Sequence, residues 1–281
     1  MESGVKPDTA ISVRRVAFRH HIHMFALHLL GGTPPPQQPK AILRAACVDM
    51  LSRPEGVETW LSTTYDNIYY EAVLFGDDDA EADEDDLDDA SSDEFIYGET
   101  GIPFFLQLLD TALLLAQGRE IAGQEAGTQS RGFVDLGGGK GQLALAAALS
   151  EPHRLSGSCR SLELMPELHR IAQAAFAVAA NDEAAAGMSR VEAIRGSIYD
   201  VETLKEACAD VAVAFAYASK FDAQRLSKAL GPFSLPSSAV VITVNGQLGS
   251  GWEEVAPAME DEAPTSESSA VARFWRRSVA A

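Results

Sequence analysis

From residue 132 onward the chain alternates between two hydrophobic periods. Short, nearly continuous apolar runs predict strands at 132–136, 161–164, 191–194, 211–216 and 239–244. Between them, apolar positions recur at helical spacing and predict helices at 142–149, 166–179, 201–207 and 223–230. Strand and helix in strict turn imply a parallel sheet with right-handed crossovers. The tail departs from this rhythm: residues 252–259 and 269–277 read as a closing strand pair, the second alternating apolar and polar through Val271-Ala272-Arg273-Phe274-Trp275-Arg276-Arg277.

Upstream the pattern is helical. Residues 11–30 carry apolar side chains at spacing that suits a packed helix, punctuated by His20, His21, His23 and His28. His20 and His23 share a helix face, but no acid or cysteine stands nearby in sequence, so they read as exposed or capping residues rather than metal ligands. Gly31-Gly32-Thr33-Pro34-Pro35-Pro36 ends that helix, and Pro39 suits the first turn of a second at 40–51. A third within 54–75 bears Trp60, Leu61, Tyr65, Ile68, Tyr69 and Leu74, aromatics and aliphatics assigned to packing. Pro103 opens a further helix to residue 116 with Phe104, Leu106, Leu109 and Leu113 on its buried side.

Composition sharpens the picture in two places. Twelve of the 41 acidic residues fall between Asp77 and Glu94, and without them the formal charge of −19 drops to −7. Such a run buries too little apolar surface to offset chain entropy and is expected to be disordered, as a solvated linker or a lure for a basic protein. Acidity of this kind also argues against direct binding to a nucleic-acid backbone. The chain is therefore expected to divide into a helical region at 1–76, an acidic loop at 77–94 and an α/β domain at 95–281. Cys47, Cys159 and Cys208 are scattered without metal-site spacing, which suits a reducing compartment. No uncharged apolar run reaches the roughly 20 residues that span a bilayer, and the arginines near the N-terminus lie among acids with no signal-peptide layout. No membrane association is expected, and the expected location is intracellular, cytoplasmic or nuclear.

The candidate chemistry centres on Phe133-Val134-Asp135-Leu136-Gly137-Gly138-Gly139-Lys140-Gly141, a strand, a tight turn and a helix start. Glycines permit positive φ and let a ligand lie on the backbone, while the following helix presents free N–H donors. A dinucleotide fingerprint starting at Gly137 requires glycine or alanine where Gln142 stands, and a P-loop requires serine or threonine where Gly141 stands. What fits at every position is D-x-G-x-G-x-G through Asp135, Gly137, Gly139 and Gly141, which resembles the first motif of class I S-adenosylmethionine-dependent methyltransferases. Glu163, 22 residues beyond Gly141, closes an otherwise apolar strand. An acid there is costly to bury without partners, and a ligand's hydroxyl pair accounts for it.

Over residues 95–244 the likeness narrows. Tyr97-Gly98-Glu99-Thr100 ahead of the glycine motif, with Glu163-Leu164-Met165-Pro166-Glu167-Leu168-His169 after it, resembles the non-SET histone-lysine methyltransferase family associated with telomeric silencing and its algal and protist relatives. The resemblance implies a doubly wound, mostly parallel seven-stranded α/β sheet and S-adenosyl-L-methionine as cofactor. It implies that Tyr97, Glu99 and Thr100 fold over the methionine end, that Asp135, Gly137, Gly139, Gly141 and Glu163 hold the cofactor, and that Ser197 and Ile198 flank the adenine. After the fourth strand the family carries an asparagine where this chain has Tyr217. Tyr217 and Tyr97 are then the candidate catalytic residues, and Phe215 joins them in lining a channel for a lysine amine. A basic protein such as a histone is the implied partner. The alternatives are a non-catalytic module that binds a basic protein and a small-molecule methyltransferase.

Overall fold

β1 (Gly132–Leu136) is buried at every residue, as befits the centre of a parallel sheet covered on both faces. Around it the computed structural model describes residues 54–75, 100–118, 131–182, 185–217, 221–231, 234–261 and 270–278. The helices expected at 11–30 and 40–51, the acidic run, Tyr97 and Glu99 lie outside the described residues.

The elements are α1 (Pro54–Phe75), α2 (Ile102–Gly118), β1, α3 (Gln142–Ser150), β2 (Cys159–Glu163), α4 (Pro166–Ala180), β3 (Val191–Arg195), α5 (Val201–Cys208), β4 (Val211–Tyr217), α6 (Ala223–Ala229), β5 (Val240–Val244), β6 (Trp252–Glu260) and β7 (Val271–Arg277). They form a seven-stranded sheet in the order β3-β2-β1-β4-β5-β7-β6. The first five strands run parallel, and β7 inserts antiparallel between β5 and β6. This is the α/β architecture with an antiparallel closing hairpin that the sequence implied. None of the described helices is long and apolar enough to cross a membrane.

β2 starts earlier than expected. Arg160 interrupts the apolar run, yet it stays in the ladder opposite Val134 because its guanidinium bonds Glu192 at 2.9 Å and also reaches Asp210. The strand also stops one residue early, at Glu163, whose carboxylate accepts the Met165 N–H at 2.8 Å and turns the chain into α4. β6 tolerates Pro257 because it is an edge strand, and its register slips on either side of Ala256. Two aspartates stop the chain from fraying at helix starts: Asp200 caps α5, and Asp222 caps α6 by accepting the Gln224 and Arg225 N–H groups at 2.9 and 3.0 Å.

Each sheet face has its own core. On one, Phe133, Val213, Phe215, Ile242 and Phe274 pack beneath α1, α2, α3 and α4. Phe105 of α2 meets Phe133 and Phe215 edge-on, with centroids 5.6 and 5.5 Å away. On the other, Leu136, Leu162, Ala216, Val241 and Trp275 pack against Leu204 of α5 and Leu226 of α6. α1 belongs to the first core through Val57, Trp60, Leu61 and Tyr65, and the Trp60 indole N–H donates to Asp182 at 3.2 Å.

Candidate functional site

The strand order reverses at β1, which lies between β2 and β4. In open parallel sheets that reversal opens a crevice beyond the strands' carboxyl ends. The glycine run occupies it. Gly137, Gly139 and Gly141 have φ of 77°, 54° and 80°, a conformation that side chains disfavour. The Gly137 and Gly138 N–H groups both donate to the Leu162 carbonyl, at 2.9 and 3.0 Å, and Gly141 N–H donates to the Gly138 carbonyl at 2.8 Å. Gly141 then starts α3 with no side-chain cap, leaving the helix N–H donors to a ligand.

Asp135 pairs in register with Ser161 of β2 and Phe215 of β4, so these side chains share a sheet face. Glu163 and Tyr217, two residues further along their strands, lie on that face too. Asp135 and Glu163 are both buried, at 4% and 7% exposure. Burial first, and the Glu163 charge second, push the Asp135 carboxyl up to about 8. Glu163 meanwhile accepts the Gly139 N–H at 2.8 Å on one oxygen and the Met165 N–H on the other. It therefore clasps the glycine turn directly, while each oxygen keeps a lone pair for a further donor.

Beyond β3, Ser197 Oγ accepts the Tyr199 N–H at 3.1 Å and Ile198 is buried. The Tyr199 hydroxyl accepts the Asp222 N–H at 3.0 Å, and the Arg225 guanidinium stacks 4.1 Å over the Tyr199 ring. The β3 and β4 ends are thus tied together across the crevice. Tyr217 ends β4 half-buried against the first core. Thr100 is buried just ahead of α2, and its hydroxyl has no partner among the described residues.

One expectation is corrected. Phe215 is 1% exposed and locked against Phe105, so it is a core residue and lines no channel. Three further contributors escaped the motif reading. An added Cβ on Gly138 would stand 2.3 Å from Ser161 Oγ and 3.1 Å from Asp135 Oδ2, so the second glycine is required by close approach although its φ is ordinary. The tip of the Phe221 ring comes so close to Gly137 that a Cβ there would meet its Cζ at 2.6 Å. Tyr65, read as packing, also donates its hydroxyl to the Lys140 carbonyl at 2.7 Å. A serine inside an apolar strand and a fourth glycine in the run were the available signals for the first; the other two depend on tertiary contacts. A groove of about 460 Å³ between the end of α4 and the start of β3, lined by Phe176, Ala179, Met188 and Val191, holds none of these residues.

No family model matches the chain, and no curated protein matches it. Among solved structures it is similar to the rRNA methyltransferase aviRa from Streptomyces viridochromogenes, at 12% identity over 70% of this chain and 93% of that one, with a TM-score of 0.46. It is similar to the putative methyltransferase yhhF from Escherichia coli, at 11% identity over 65% and 88% and a TM-score of 0.42. It is also similar to CrArsM, an arsenic(III) S-adenosylmethionine methyltransferase from Chlamydomonas reinhardtii, at 17% identity over 54% and 64% and a TM-score of 0.36. None of these three is described as acting on histone lysine. Likeness at this level concerns fold and assigns no residue.

Proposed function

We propose that the chain is an S-adenosylmethionine-dependent methyltransferase whose acceptor is a lysine amine of a basic protein. The observation that carries the reading is the pair Asp135 and Glu163, buried at the carboxyl ends of adjacent parallel strands and flanking a positive-φ glycine turn at the reversal of the sheet. The residues fit this cofactor: a buried acid with raised pKa waits for a cation, a glycine cradle has no room for Cβ atoms, and an uncapped helix start follows.

Bound there, S-adenosylmethionine supplies a methyl group already activated by its sulfonium. In this reading Asp135 takes the ammonium group, and Glu163 accepts from the ribose hydroxyls while keeping its grip on Gly139 and Met165. The first N–H groups of α3 face the carboxylate, Ser197 and Ile198 flank the adenine, and the Thr100 hydroxyl gains a partner. The remaining demands on the protein are in-line approach and exclusion of water. Tyr217 stands where the acceptor approaches, and a dry aromatic surface lowers an amine's pKa, which favours the neutral nucleophile. The acidic run supplies charge complementary to a basic partner. Tyr217 in place of the family's asparagine favours a second reading, in which the acceptor is a small molecule, because substrate choice belongs to the site and not to the fold.

Incubation with methyl-labelled cofactor and either histones, nucleosomes or a small-molecule extract tests both. Label in the protein fraction supports the lysine acceptor, and label confined to the extract supports the second reading. Binding without transfer to any of them contradicts both and leaves a non-catalytic cofactor-binding module.

A further inference from the structure

We propose that Tyr65 is a positioning residue for the cofactor turn, so that the site includes a helix lying outside the α/β alternation; the ligand half of this inference rests on the cofactor reading above. Lys140 is the one non-glycine residue between Gly137 and Gly141, and its carbonyl accepts the Tyr65 hydroxyl at 2.7 Å across 75 residues of sequence. Three positive-φ glycines in five residues make this turn costly to order, since glycine loses more backbone freedom than any other residue. On its sheet side the turn is held by the Leu162 carbonyl and the Glu163 carboxylate. Tyr65 grips it from the helical side.

The helix that carries Tyr65 is itself well anchored. Val57 and Leu61 are buried, and Trp60 is bonded to Asp182 at the end of α4. α1 packs against α2, α3 and α4, so the hydroxyl is delivered from a fixed frame. Tyr65 is itself only 6% exposed. Phenylalanine would fill the same core volume, so packing accounts for the ring alone, and the hydroxyl is accounted for by the Lys140 carbonyl. A turn held in place before the ligand arrives does not have to be ordered at the ligand's expense, which is how preorganisation raises affinity.

The test is the full chain with Tyr65→Phe, which removes one oxygen. Amide hydrogen exchange at Gly139 and Gly141, both bonded in the wild type, reads the turn, with Val241 and Ile242 of β5 as an internal reference. Calorimetry with S-adenosylhomocysteine reads the site. The expected result is exchange several times faster at Gly139 and Gly141, unchanged exchange in β5, and a Kd raised roughly fivefold, the loss of one ordinary hydrogen bond. Unchanged exchange at the turn overturns the inference, as does equal acceleration in β5, which marks general loosening. Faster exchange at the turn with unaltered affinity overturns the ligand half. If the wild type binds no S-adenosylhomocysteine, the cofactor reading is the one that fails, and the exchange comparison still decides whether Tyr65 holds the turn.

Discussion

Asparagine at position 135 keeps the size of the aspartate and removes its ionisation, which isolates the most perturbed acid of the site. Burial, then the charge of Glu163, lifts the Asp135 carboxyl from its ordinary 3.8 to about 8. Between those values the folded protein holds one more proton than the unfolded chain. Stability from this group is therefore complete below about pH 4 and is lost progressively as pH rises toward about 8. At about 1.4 kcal/mol per unit, a shift of this size amounts to several kcal/mol, on the order of 6. Urea denaturation of wild type and Asp135→Asn across that pH range measures it. Every other charge, the acidic run included, is common to both proteins and cancels in the difference. Asp135→Asn should gain on the wild type by up to about 1.4 kcal/mol per pH unit and level off above about pH 8. Parallel pH profiles would refute the reasoning. A cationic ligand favours the ionised carboxylate, so binding to the wild type should release a proton and tighten by up to about tenfold per pH unit below 8, whereas Asp135→Asn should bind weakly at every pH.

Gly138→Ala places a methyl group 2.3 Å from Ser161 Oγ, and should lower the melting temperature and weaken cofactor binding; Ser161→Ala in the same chain should restore part of both, whereas equal loss in the double variant would point elsewhere. Phe105→Ala empties a fully buried site between Phe133 and Phe215 and should cost about 3–5 kcal/mol by denaturant titration. Tyr217→Phe should slow turnover and leave the cofactor Kd unchanged, and unaltered turnover would remove the hydroxyl from the chemistry.

Much of this architecture is legible in the chain because a parallel sheet covered on both faces needs short apolar runs, and 132–136, 211–216 and 239–244 are such runs, each appearing as a strand within a residue of its expected ends. Legibility falls where a charge is satisfied by distant partners. Arg160 reads as a strand boundary until Glu192 and Asp210 are seen beside it. The glycine motif marks where the crevice opens, since positive φ is written in the residue type itself. It does not mark Gly138, whose constraint is the Ser161 side chain on another strand, or Phe221, which reaches Gly137 from beyond β4. Phe215 misleads in the opposite sense: an aromatic two residues before the end of a strand near a crevice reads as lining, yet it shares its sheet face with Tyr217 and, two residues further back, is covered by Phe105 of α2. Glu163 was legible as a buried acid in need of partners, but its two backbone N–H donors lie in a turn and a helix start that only the folded chain brings together.

In the proposed function, the Asp135–Glu163 crevice is the cofactor site. Titration calorimetry of S-adenosylhomocysteine into wild type and Glu163→Ala at about pH 8, where Asp135 ionises most readily, tests it directly. One molecule should bind per wild-type chain, and Glu163→Ala should bind roughly tenfold or more weakly through loss of charge-assisted hydrogen bonds. No binding heat from the wild type, or equal affinity in the two proteins, would contradict it.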